Sequence, residues 1–149
     1  MDSRAVTPVV GKVFEVGLVA LYIGLLTTTL YAGAVPEYRT AAGAEVGERV
    51  LASATQRVEQ SIPPAATTVQ HRQTVSIPQT IRGEQYEIRA ANESLVLLHP
   101  NENIDGKARL ALPDRVVSVS GTWRSTDETA LVVEDAPGGL RVRLTEVLP

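Results

Sequence analysis

A long apolar run from Val13 to Tyr31 dominates the hydropathy pattern, and it continues through Ala32, Gly33, Ala34 and Val35 to Pro36. Roughly 20 apolar residues are what a helix needs to cross the hydrocarbon of a bilayer. Residues 1–36 therefore read as a short leader and a transmembrane helix. Thr7 offers a capping oxygen and Pro8 suits the first helical position, because an N–H there would find no partner in the helix. A helix from Pro8 to Val35 would extend roughly 40 Å, enough to span with some tilt. Pro36 is expected to end or kink it.

Beyond Pro36 the pattern becomes amphipathic. Val46, Val50, Leu51, Ala54 and Val58 recur at helical spacing, while Glu45, Glu48, Arg49, Arg57 and Glu59 fall mostly elsewhere, predicting a second helix from Glu37 to about Gln60. Ser61-Ile62-Pro63-Pro64 closes this amphipathic segment, 37–62.

From residue 63 to 149 the period changes to two. Tyr86, Ile88 and Ala90 alternate with Glu87 and Arg89; Val117, Val119 and Trp123 with Ser118, Ser120 and Thr122; Leu140, Val142 and Leu144 with Arg141 and Arg143. Thr67–Ile77, Leu95–Leu98 and Ala108–Leu112 are further strand candidates, separated by turn punctuation such as Arg82-Gly83, Asn92-Glu93 and Pro137-Gly138-Gly139. The expectation is an α+β chain: a long N-terminal helix, hydrophobic and then amphipathic, followed by an antiparallel meander or small β-sandwich of about seven strands.

Charge gives the span a direction. Arg4 and Lys12 precede it, whereas Glu37 and Arg39 cancel after it, so the positive-inside rule places the N-terminus in the cytoplasm and the β domain outside the cell. Lys12 and Glu15 lie three apart and can pair near the cytoplasmic interface, below the roughly 2.5 to 3.5 kcal/mol of a lone charge at the bilayer centre. A cleavable secretory signal is the competing reading, since Ala32-Gly33-Ala34 fits a small-x-small site. Gly17, Ala20, Gly24, Thr27 and Thr28 form a smooth stripe suited to close helix packing, with Phe14, Leu18, Leu21, Tyr22 and Leu25 assigned to the opposite side. The same small residues are also frequent in membrane helices that pack on nothing.

Composition narrows the chemistry. With no cysteine there is no disulfide framework, thiolate metal site or cysteine nucleophile. A net charge of -3 with only two lysines leaves no basic footprint for nucleic acid. His71 and His99 are isolated from each other and from any nucleophile motif, so neither a zinc site nor a catalytic triad is expected. Asn101, Asn103 and Asp105 before Gly106 have the alternating oxygens of a calcium loop but lack its distal Glu, and an ordinary turn is the expectation. No cofactor or catalytic residue is assigned. Asn92-Glu93-Ser94 is a glycosylation sequon at an expected turn.

One motif carries a resemblance. Arg4-Ala5-Val6-Thr7-Pro8-Val9-Val10-Gly11, set directly before the hydrophobic helix, resembles the N-terminus of haloarchaeal type IV pilin-like proteins. The resemblance implies cleavage between Ala5 and Val6 by a prepilin peptidase, retention of the helix, and assembly with other pilin-like subunits into or onto a cell-surface filament that serves adhesion. It also raises the expectation that Asn92 is glycosylated. Val10 stands at the fifth mature position, where bacterial type IV pilins place Glu, and Lys12 and Glu15 replace an uncharged stretch, so the chain resembles a minor or atypical member. The implied function is non-enzymatic. Its partners are membrane lipid, the peptidase and other pilin-like subunits or membrane helices. The alternative is a membrane-anchored extracytoplasmic binding module that never polymerises.

Overall fold

The structure, a computed structural model, describes residues 6–63 and 70–147. Ala5, Pro64 and the Thr67 start of the first expected strand lie outside them. The chain divides into two compact units, Met1–Arg39 and Thr40–Pro149.

In the first unit, helix α1 runs from Val6 to Thr29 and begins before Thr7, the expected cap. It passes into a wide π turn at Leu30–Ala34 and then into α2, which spans Val35–Gln60. The expected break at Pro36 does not occur. Proline lacks an N–H and its ring presses on the carbonyl four residues back. Here an extra residue is wound into the preceding turn, where the Val35 N–H donates to the Leu30 carbonyl, and the helical backbone carries on through the proline.

In the second unit, α2 buries Gly43, Gly47, Val50, Leu51, Ala54 and Val58. Val46, expected in this stripe, is 40% exposed. Two glycines complete the stripe instead, because here the helix backbone itself is the contact surface: a Cβ at Gly47 would lie 3.1 Å from both the Ile104 carbonyl oxygen and its Cγ2. The helix ends where expected, with the Ser61 hydroxyl donating to the Val58 carbonyl at 2.7 Å. Glu59 then accepts from the Ala111 N–H at 2.7 Å, tying the last turn to the domain.

Seven strands follow: β1 Gln70–Val75, β2 Glu87–Ala91, β3 Ser94–Leu98, β4 Gly106–Arg109, β5 Val116–Arg124, β6 Thr129–Ala136 and β7 Gly139–Glu146. They form one sheet in the order β1-β6-β7-β5-β2-β3-β4. The architecture is α+β as the sequence indicates, with one mostly antiparallel sheet in which β5 and β7 run parallel. After β5 the four residues 125–128 step over one strand position, roughly 10 Å, and β6 starts beyond the gap. The chain then turns at Pro137-Gly138 and β7 fills that gap, antiparallel to β6 and parallel to β5.

One face of the sheet forms the core with α2. Ile88, Leu95, Leu97, Trp123, Leu131, Val133, Val142 and Leu144 join Val50, Leu51, Ala54 and Val58 in a single cluster. Trp123 is fully buried and its indole N–H donates to the Ala130 carbonyl at 2.7 Å, bracing β5 against β6 across β7. Among the named strand candidates, β4 begins two residues before the expected Ala108, and β6 had no candidate at all.

Candidate membrane anchor and surface sites

Every residue from Val10 to Ala34 is exposed. Thirteen of them, from Val10 to Tyr31, are large hydrophobic side chains. At about 1.5 kcal/mol or more for each side chain removed from water, their transfer into an apolar medium is worth on the order of 20 kcal/mol. Among the described residues, this is the one helix long and apolar enough to cross a membrane.

Polar groups along α1 are satisfied locally. The Thr28 hydroxyl donates to the Gly24 carbonyl at 2.8 Å and Thr29 to Leu25 at 2.9 Å. Lys12 Nζ lies 3.0 Å from Glu15 Oε2, so the two charges neutralise one another on the helix surface. The expected stripe of Gly17, Ala20, Gly24, Thr27 and Thr28 lies within uninterrupted helix, and nothing comes within 4 Å of a Cβ built at Gly17 or Gly24. At about 100° per residue, Phe14, Leu21 and Leu25 flank that stripe, while Leu18 and Tyr22 stand toward the opposite side. Val6 is the first helical residue described, while its expected cleavage partner Ala5 lies outside the described residues.

The sequon occupies the tight turn between β2 and β3. Asn92 is exposed with φ 54°, the left-handed geometry that asparagine tolerates in two-residue hairpins. Ser94 is buried, its hydroxyl donating to the Ala91 carbonyl at 2.7 Å. The third sequon residue is therefore engaged in closing the hairpin.

Among the described residues neither histidine contacts a nucleophile or a carboxylate side chain through its ring. His71 is exposed on β1. His99 is buried, with Nδ1 accepting from the Asn101 N–H at 3.0 Å and Nε2 positioned to donate to the Ile81 carbonyl at 3.0 Å. Both ring nitrogens are spent on joining two loops. The oxygens of the following loop turn inward as well: Asp105 accepts from the His99 N–H at 2.7 Å, and Asn101 accepts from the Asn103 N–H at 3.1 Å. Among the described residues no group of three or more His, Asp and Glu could hold a metal ion. A shallow groove among the described residues is lined by Glu93, Arg109 to Asp114 and Val116 and contains no histidine.

The chain matches DUF7266, a family of unknown function, over residues 1–145. It belongs to that family. No curated protein and no solved structure matches it. The family match spans the apolar helix, the amphipathic helix and the sheet together, so these parts form one unit of inheritance.

Proposed function

We propose that this DUF7266 member is a non-enzymatic, pilin-like subunit of the cell surface. In this reading it is inserted by α1 with its N-terminus in the cytoplasm, trimmed between Ala5 and Val6, and drawn into or onto a filament while its β domain stands outside the cell. The observation that carries the reading is the unbroken helical backbone from an exposed apolar span into an amphipathic helix that serves a β-sheet. The Arg4 to Gly11 motif at the start of that span adds the processing step. Asn92 at its exposed turn is the proposed glycan acceptor, and native mass spectra showing it bare under several growth conditions would remove that role.

Edman sequencing of the membrane-extracted protein tests the proposal. A chain starting at Val6 supports it. A start near Val35 would instead mark a cleaved secretory signal, and retention of Met1 a plain anchor. Full-length protein found free in the cytosolic fraction would sink every membrane reading.

The second reading is a tethered extracytoplasmic binding module that does not polymerise. The Lys12–Glu15 pair favours it, because an ion pair on the surface of the span hinders dry packing among many identical helices. Purified surface filaments lacking the protein, with the protein still present in membranes, would select this reading over the first.

A further inference from the structure

The sheet face turned away from α2 is basic, although the protein as a whole is acidic. Strand alternation places Arg141 and Arg143 of β7 there, with Lys107 and Arg109 of β4. Arg72 of β1, Arg89 of β2 and Arg124 of β5 complete the set. All seven are exposed. Four carboxylates stand among them: Glu134 is shared by Arg141 and Arg143, Glu87 by Arg89 and Arg124, Glu146 reaches Arg124 at 3.4 Å, and Glu93 reaches Arg109 at 3.3 Å. Of the eleven basic and fourteen acidic side chains from Thr40 to Pro149, seven and four lie on this face, so it carries +3 and the rest of the unit -6.

The negative remainder is concentrated at one end of the sheet. Register places Val75, Thr129, Glu146, Arg124, Glu87, Leu98 and Gly106 in one terminal row. The loops that leave this row carry Glu84, Glu102, Asp105, Asp127 and Glu128, against the single base Arg82. Arg82 is occupied, donating to the Thr40 hydroxyl at 3.2 Å, and Asp105 is held by the His99 N–H. Glu84, Glu102 and Glu128 are exposed. One unit thus presents a basic plate and an acidic tip, two different surfaces of opposite sign.

We propose that the basic sheet face receives the acidic loop end of a second copy of this chain. The two surfaces are distinct, so the contact is heterologous: each copy keeps a free face and a free tip after joining, and the association continues in one direction. The arginine content suits contact rather than distant attraction. Guanidinium groups grip carboxylates through paired hydrogen bonds, which persist at close range even at about 1 M salt, where the screening length is about 3 Å. This inference deepens the subunit reading above and rests on it.

Lys107 makes the contact measurable, since the only other lysine is Lys12 on the apolar span. Full-length protein in detergent micelles, half of it isotope-labelled, is treated with a carbodiimide that joins amines to carboxylates in direct contact. The expected product links Lys107 of one copy to Glu84, Glu102, Asp127 or Glu128 of another, identified as a mixed-label peptide. R141E/R143E and D127K/E128K should each lower its yield at least tenfold with unchanged thermal midpoints, and combining the two pairs should recover a substantial part. Absence of mixed-label Lys107 peptides, or equal yield from the reversed variants, overturns the proposal. So does protection of Lys107 from an amine reagent in phosphatidylglycerol nanodiscs but not in phosphatidylcholine ones without copy-to-copy product, which would assign the face to lipid headgroups. A chain beginning at Val6 that gives no product leaves the subunit reading standing and removes this contact; product from a chain retaining Met1 does the reverse.

Discussion

Tyr86 shows how a single buried group adds to the alkaline pH response of the β domain. It is 3% exposed, its hydroxyl donates to the Pro78 carbonyl at 2.7 Å, and burial pushes its pKa from 10.0 up to about 12. The neutral phenol is thus favoured by the folded state. The unfolded chain releases its proton near pH 10, so this contribution is intact below that value and is lost progressively as the pH climbs through 12. At most about 3 kcal/mol is at stake. Denaturation midpoints measured from pH 9 to 12 should fall more steeply for the native protein than for Tyr86→Phe, and parallel curves would refute the assignment. Gly121 is constrained differently. It adopts φ +100°, and a Cβ there would fall 2.0 Å from the Leu144 carbonyl oxygen in the neighbouring strand. Since backbone cannot step aside as a flexible side chain does, Gly121→Ala should cost about 3 kcal/mol and lower the unfolding midpoint by about 10 °C or more in a calorimeter.

Between elements, the decisive contacts involve small residues. Gly43 and Gly47 bring α2 down onto Arg82 and Ile104, and Gly47→Leu should reduce denaturant stability by about 2 kcal/mol through overpacking, against no change for Val46→Leu on the exposed side. In α1, Gly24→Leu would interrupt the small-residue stripe. A membrane two-hybrid signal that falls several-fold is expected, and an unchanged signal would show that no helix packs there. Which elements were legible in the sequence follows from the same physics. The span, the amphipathic helix and the alternating strands announce themselves because one solvent-facing and one core-facing side impose a period. Strand β6 escaped because Thr129, Ala130, Leu131 and Val133 are all buried, which erases the alternation that marks a half-exposed strand. Gly43 and Gly47 escaped because a hydropathy pattern seeks bulky residues, whereas close backbone approach selects their absence. Arg141 and Arg143 were visible as the outward residues of a strand, yet only strand order shows that Lys107, Arg109, Arg89 and Arg124 share their face. The parallel pairing of β5 with β7 depends on a slot left by another strand, and no local pattern encodes it.

At the scale of the whole molecule, each unit answers a different solvent. Residues 10–34 expose apolar surface throughout, while Thr40–Pro149 encloses its own core. Extraction of membranes with carbonate at high pH should therefore leave the full-length chain in the pellet, and release into the supernatant would contradict insertion of α1. The order of the sheet has a consequence for how the protein comes to exist. Strand β7 is the final strand to be synthesised, and it alone joins the β1-β6 pair to the β5-β2-β3-β4 group. A nascent chain truncated after Pro137 would hold two sheet fragments with no strand pairing between them, joined by the Trp123 indole N–H bond to the Ala130 carbonyl. Under the extracellular reading proposed above, the domain travels as an open polypeptide until its final residues are through, and the end of translocation decides whether a finished fold emerges or an unjoined one.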